Sequence, residues 1–356
     1  MIVVIVFNLV KLSCMLLALT KFDAEHLLAT TGDAVVSFLQ EKDPTTAGLC
    51  LANLRNMKSM WKTPGFAQPY HAPKRWQEAV SRGRWVVFFI IMFIALAIVA
   101  VLHAWGLTWL RKNDYNLDFT SLWSLGLGTV SQYTMVISPN DLRDGPDLAK
   151  FAVLANLPQV VLALIYFTYS TILTTMFIAA DWSRFAFRPQ TLMVSNSIND
   201  RQRGMWALGT PWPYAIILIT MQVLLHWLVS QSLFVAQVFR MELDTTPYPE
   251  PVILNCGYSP IAIMCSMIVA GVMLLGVGTL MFRKFPDGAP PVASTNSAAI
   301  SAACHSNEID DAAAFKPLRW GAWEGMSGGV GHCSLMPDDV YQQGVGKMAA
   351  DGQTYT

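Results

Sequence analysis

Apolar residues in this chain fall into long uncharged blocks separated by polar stretches. The clearest block runs from Trp85 to Leu110 without an Asp, Glu, Lys or Arg. A helix of about 20 apolar residues crosses a hydrocarbon core roughly 30 Å thick. Arg84 and Trp85 mark one edge of this block, and Trp105, Trp109, Arg111 and Lys112 mark the other. Amphipathic aromatics and snorkelling cations are what a spanning helix places at headgroup level. Phe151 to Ala180 forms a second uncharged block, closed by Asp181 and Trp182; Pro213 to Val238 and Ser259 to Phe282 form two more. Proline near the start of each of these last two suits a first helical turn.

The first twenty residues, MIVVIVFNLVKLSCMLLALT, read either as a signal peptide with a poor cleavage site near Ala18 and Thr20 or as an uncleaved spanning helix. The basic leader of a signal peptide is missing, and the only cation, Lys11, lies mid-segment, which favours the helix. Phe119 to Asn140 is also uncharged, but Ser, Thr, Gly and Gln crowd it and Gly126 and Gly128 weaken a helix. A re-entrant or interfacial segment is expected there.

The fold class predicted is all-α, a polytopic membrane helical bundle of about five transmembrane helices. The layout is helix 1 over 1–20, a cytosolic segment over 21–84, helix 2 over 85–110 and an outer loop over 111–150. Helix 3 follows over 151–180, a cytosolic loop over 181–212, helix 4 over 213–238 and an outer loop over 239–258. Helix 5 covers 259–282, and a largely disordered cytosolic tail covers 283–356, since FPDGAPPVASTNSAAISAA is rich in Ala, Ser and Pro. Within the first cytosolic segment, TGDAVVSFLQEKDPTT predicts an amphipathic helix with Thr31 as cap and an apolar face of Val35, Val36, Phe38 and Leu39. It is expected on the membrane surface rather than packed within the protein.

Charge sets the orientation. Lys and Arg crowd 21–84, 181–212 and the tail, whereas 107–150 holds four cations against five Asp, and 241–258 holds none. Cations follow the cytosol, so the C-terminus is expected inside. A spanning 119–140 would move every later loop to the wrong side. Hydrophobic residues make up 53% of the chain and charged ones 13%, too few charges to cover a soluble surface of this size. Net charge is zero, so nucleic acid has no electrostatic footprint here. The expected environment is the lipid bilayer, with the plasma membrane preferred because helices 3 and 4 suit a thick one.

Polar side chains inside a membrane are expensive, and candidate sites are sought among them. Lys11 either lines a pathway or snorkels. At 100° per residue, Asn156, Gln159, Tyr166, Ser170 and Thr174 share one face of helix 3, and Gln222, His226, Ser230 and Gln237 share one face of helix 4. Two readings are open: a water-lined route for a small solute with His226 as its titratable element, or interhelical hydrogen bonding. The six cysteines make no disulfide framework. Cys304-His305 and His332-Cys333 lack the spacing of a zinc site, so no metal or cofactor is expected. GGVGHC lacks the Lys-Ser/Thr ending of a phosphate loop, and GxSxG and HExxH are absent. No catalytic residue is assigned, and the chain is expected not to be an enzyme.

NLVKLSCMLL, TGDAVVSFLQEKDPTTAGLC, LANLPQVVLALIYFTYSTILTTMFIAADWSRF, HWLVSQSLF and GVGHCSLMPDDV together resemble a large fungal family of uncharacterised multi-pass membrane proteins. Members carry a further N-terminal membrane domain of unknown function, and this chain resembles a member lacking it. The resemblance implies no established activity. The expected role is a non-enzymatic membrane scaffold or interaction protein, with protein partners at the cytosolic segment and tail. The alternative is a small-solute transporter or channel subunit using the polar faces of helices 3 and 4.

Overall fold

A computed structural model describes residues 2–21, 28–62, 67–135, 148–195, 202–204, 210–238, 253–306, 312–323, 331–343 and 346–355. Its helices are α1 (Ile2–Lys21), α2 (Thr31–Gln40), α3 (Met57–Met60), α4 (Arg82–Lys112) and α5 (Phe119–Ser124), then α6 (Leu148–Ser183), α7 (Trp212–Ser232), α8 (Pro260–Met281), α9 (Ser297–Ala303) and α10 (Asp338–Gln342). Its strands are β1 (Gln68–Pro69), β2 (Met193–Val194), β3 (Arg203–Gly204), β4 (Leu233–Val238), β5 (Ile253–Tyr258), β6 (Leu318–Trp323), β7 (His332–Pro337), β8 (Gly346–Lys347) and β9 (Thr354–Tyr355). The chain is predominantly helical, with the strands modifying the all-α expectation. It divides into two compact units.

Unit 1 gathers Met1–Ser81, Thr174–Trp212 and Met281–Thr356. All three stretches feed one core: Val35, Leu49 and Met60 from the first, Trp182, Phe185 and Leu192 from the second, and Ile300, Leu318, Trp320 and Leu335 from the third. A three-stranded antiparallel sheet in the order β7-β6-β8 supplies one wall, with Leu318 opposite Pro337 and Trp323 opposite His332. β9 returns to pair with β1, and β2 pairs in parallel with β3.

The start of α2 shows why this region orders. Thr30 accepts from the Asp33 amide at 3.0 Å while Asp33 accepts from the Thr30 amide at 2.8 Å, a reciprocal capping box. The cap is therefore Thr30, one residue before the expected Thr31. The same two side chains also bind β2 and its continuation: the Thr30 hydroxyl donates to the Met193 carbonyl at 2.9 Å, and Asp33 accepts from the Ser195 amide at 2.9 Å. Gly32 allows this approach, since a Cβ there would lie 1.9 Å from the Met193 carbonyl oxygen. Ala34, Val35 and Leu39 are buried in the core and Val36 and Phe38 pack against it. The expectation of a membrane-surface helix is corrected: protein covers the apolar face of α2.

The tail requires a larger correction. Where 283–356 was expected to be largely disordered, its described residues form α9, the β6–β7 hairpin and α10. Asn296 caps α9 by accepting from the Ala298 amide, and Ala299, Ile300, Ser301, Ala302 and Ala303 are all buried. The small Ala and Ser side chains that suggested disorder instead let a short helix pack closely. Trp182 ties in the preceding stretch by donating its indole N–H to the Pro291 carbonyl at 3.1 Å.

Unit 2 gathers Arg82–Leu173 and Pro213–Leu280. Four helices, α4, α6, α7 and α8, are long and apolar enough to cross a membrane. At 1.5 Å per residue the 31 residues of α4 reach roughly 46 Å. Only 11% to 28% of the most apolar stretch of each helix is buried. Water would not tolerate that much uncovered hydrocarbon, whereas lipid covers it without cost. α1 is also helical and its described apolar side chains are exposed; its apolar part Ile5–Ala18 is shorter than the four.

Helix 4 ends earlier than expected. α7 stops at Ser232, and Leu233–Val238 forms β4, paired antiparallel with β5 from Leu233–Tyr258 to Val238–Ile253. The connecting residues 239–252 of the expected outer loop lie outside the described residues. In the expected re-entrant stretch, α5 has six residues, too short to cross a bilayer. Gly126 and Gly128 follow it with φ of +75° and +69°, the left-handed region that glycine supplies. Residues 136–140 of that stretch lie outside the described ones. Ser259 anchors the turn by donating to the Gly126 carbonyl at 2.8 Å, and Tyr258 donates to the Gly106 carbonyl at 3.0 Å.

Candidate functional site

Unit 2 contains a cavity of about 550 Å³, walled by α4, α6, α7 and α8 together with Met135, Leu233 and Tyr258. Its lining is overwhelmingly apolar, with Leu96, Val99, Leu162, Ile165, Leu225 and Met267 representative. No Asp, Glu, Lys, Arg or His is among its described lining residues. Tyr169 crosses from α6 to α8, donating its hydroxyl to the Met273 carbonyl at 3.1 Å. Volume and polarity both match sites for small apolar molecules, which run from about 300 to 1,000 Å³ with a few placed polar groups.

The polar stripes converge less than their spacing suggests. Of the expected residues, Tyr166 on α6 and Gln222 on α7 line the cavity. Asn156 is exposed and turns its amide back to the Ala152 carbonyl of its own helix at 2.7 Å. Ser170 does the same with Phe167 at 3.4 Å. Thr174 belongs to unit 1, where its hydroxyl lies 3.5 Å from that of Thr210. Gln159, His226 and Ser230 are half-buried and none lines the cavity. Lys11 is exposed on α1. Short polar side chains on a helix satisfy themselves on the carbonyl three or four residues back, so a shared face does not ensure a shared route.

Sequence reasoning missed Tyr169, Tyr258, Ser232 and Ser266 as lining residues. Single polar residues amid apolar runs carried no signal of their own. It also missed that Cys50 joins His332 and Cys333 in a thiol–imidazole cluster of unit 1. Cys333 hydrogen-bonds to Cys50, and His332 adds a hydrogen bond and its charge; together they pull the Cys50 thiol down to about 5. The pair shares a proton, so Cys333 is held correspondingly high, with burial adding to the effect. His332 Nε2 lies 2.7 Å from the His305 carbonyl, and His305 Nε2 lies 2.9 Å from the Thr46 hydroxyl. Burial pushes His305 below the ordinary imidazole value. Cys304, adjacent to His305 in sequence, is fully buried, and desolvation pushes its thiol up. Among the described residues no group of three or more His, Cys, Asp and Glu side chains is placed to hold a metal ion.

Asp181 and Arg184, from the DWSRF motif, form an ion pair at 3.4 Å on the surface. Such pairs contribute little, about 0–1 kcal/mol.

A family model described as Domain of unknown function (DUF8419) matches residues 64–356. The chain belongs to the DUF8419 family. The match takes in all of unit 2 and the second and third stretches of unit 1, while α2, α3 and Cys50 precede it. No curated protein matches this DUF8419 chain, and no solved structure does.

Proposed function

We propose that this DUF8419 protein is a multi-pass, non-enzymatic membrane scaffold whose folded unit 1 receives protein partners. One observation carries the reading. The three stretches that build the unit 1 core are separated in sequence by the pairs α4–α6 and α7–α8. With each of those four helices crossing once, the stretches before α4, between α6 and α7, and after α8 all emerge on one side. They are also the cation-rich stretches, which supports a cytosolic unit 1 and C-terminus. Plasma-membrane residence belongs to the same reading.

Cross-linking in native membranes tests it. Lys58, Lys62 and Lys74 are exposed on unit 1 and offer amine handles. Intermolecular links from them are expected in the wild type and should vanish in Val35→Asp, which unseats the unit 1 core but leaves α4, α6, α7 and α8 in place. A wild type whose lysines link only within the chain would overturn the proposal.

A second reading, movement of a small solute through unit 2, is favoured by the cavity that Tyr166 and Gln222 line. Gln222→Ala and His226→Ala in a liposome flux assay address it. Flux unchanged by either, with assembly intact, removes it.

A further inference from the structure

We infer that the unit 2 cavity is a binding site for an uncharged lipid, one with a hydrocarbon body and a head of hydroxyl or carbonyl groups. The inference rests on the reading that α4, α6, α7 and α8 cross a bilayer. A void of about 550 Å³ far exceeds the roughly 30 Å³ share of one water molecule, and its apolar walls give water too few partners. Between membrane helices the alternative filler is hydrocarbon.

The polar groups on the wall then decide what kind. Six lining residues carry a hydroxyl or amide: Tyr166, Tyr169, Gln222, Ser232, Tyr258 and Ser266. Four are already occupied. Tyr169 donates to Met273, Tyr258 to Gly106, Ser232 to Leu228 and Ser266 to Ile263, in each case to a backbone carbonyl. No hydrogen bond among the described residues uses the Tyr166 hydroxyl or the Gln222 amide. An unmatched polar group in hydrocarbon is costly, and these two line the same apolar cavity from α6 and α7. A hydroxyl or carbonyl on the occupant would give either of them a partner. A carboxylate or phosphate would be disfavoured, since no cation is among the described lining residues to compensate its charge. The occupant is therefore neutral.

Photolabelling of the full-length protein in membranes tests this with two uncharged probes, a diazirine-bearing sterol and a diazirine-bearing monoacylglycerol. Whichever source fits is expected to label peptides from the lining positions Val99, Leu162 and Met267 more heavily than the outward-facing Val101, Phe167 and Leu275. Excess unlabelled probe should compete, whereas a fatty acid carboxylate should not. Tyr166→Phe and Gln222→Leu should each cut cavity labelling about threefold to tenfold, the loss of one hydrogen bond. Ala270→Phe, which puts a ring into the cavity, should also reduce it. Labelling spread evenly over lining and outward positions, or insensitive to all three substitutions, overturns the inference. Alkaline carbonate extraction in parallel separates this failure from that of the membrane reading: a chain released by carbonate refutes the spanning helices, whereas a retained chain with even labelling refutes only the site.

Discussion

Unit 1 and unit 2 draw on the same stock of apolar side chains and arrange them in opposite senses. In unit 1 outside α1 most of the large ones turn inward: Leu318, Trp320 and Leu335 are at most 1% exposed, while Leu28 and Trp61 stand out at the surface. In unit 2 they turn outward, with Val101 67%, Phe167 69% and Leu275 71% exposed. The polar groups invert likewise. Unit 1 spends Thr30, Asp33 and Trp182 on bonds between distant stretches, whereas the hydroxyls of α6 mostly return to their own helix. The difference lies in the solvent that each unit meets. Water drives apolar groups together and leaves backbone amides free to be bridged by side chains. Lipid gives helices no reason to hide Leu or Val, and leaves close packing and a few hydrogen bonds to join them.

Charge insertion should break this symmetry most sharply. Val35→Asp places a carboxylate in the unit 1 core and is expected to cost roughly 3–5 kcal/mol, enough to unfold that unit. Val101→Asp should leave unit 1 intact but reduce membrane insertion by about 2.5–3.5 kcal/mol, read in a translocon assay. Equal loss of unit 1 structure in both variants would remove the distinction.

Truncations come next. Leu318→Ala is expected to cost about 2–5 kcal/mol through a buried cavity. Leu275→Ala, on an outward face, should cost under about 0.5 kcal/mol in detergent denaturation. Thr30→Ala should cost about 1 kcal/mol, because it removes the cap of α2. Thr30→Ser, which keeps the hydroxyl, should recover most of it.

The thiol pair sharpens the comparison by a slope rather than a loss. The ordinary thiol value is 9.0, and folding lowers Cys50 to about 5 while raising Cys333. Between these values the folded pair holds one proton where the unfolded pair holds two, so stability should rise with pH from about 5 towards 9. Above 9 the unfolded pair loses both protons while the folded pair retains one, and the gain should reverse. Unfolding midpoints of the full-length protein across this range should show the maximum, and Cys50→Ser should flatten it.

The apolar helices were legible because an uncharged run of spanning length needs no partner to be recognised. α4 covers Arg82–Lys112 where the run predicts 85–110, and α8 covers Pro260–Met281 where it predicts 259–282. What a run cannot show is where it changes state. Leu233–Val238 continues the apolar block of α7, yet becomes a strand because Ile253–Tyr258 offers it a ladder. The amphipathic face of α2 was visible, but periodicity does not reveal whether lipid or protein covers it. α9 was hidden in a composition that also fits disorder. Of the polar stripes, Tyr166 and Gln222 line the cavity, while Asn156 and Ser170 bond back to their own helix, a choice that spacing alone does not reveal. Cys50 and Cys333 come from opposite ends of the chain, and only the fold brings them together.

Two tryptophans test the central claim most directly. Trp61 in unit 1 is 49% exposed and Trp227 on α7 is 48% exposed, so geometry alone gives them equal access. Hydroxyl-radical footprinting of the protein in native membranes is expected to oxidise Trp61 readily and leave Trp227 nearly untouched, because lipid covers it. Oxidation of both at the same rate would mean that water reaches the faces of α7, and the membrane account of unit 2 would be wrong.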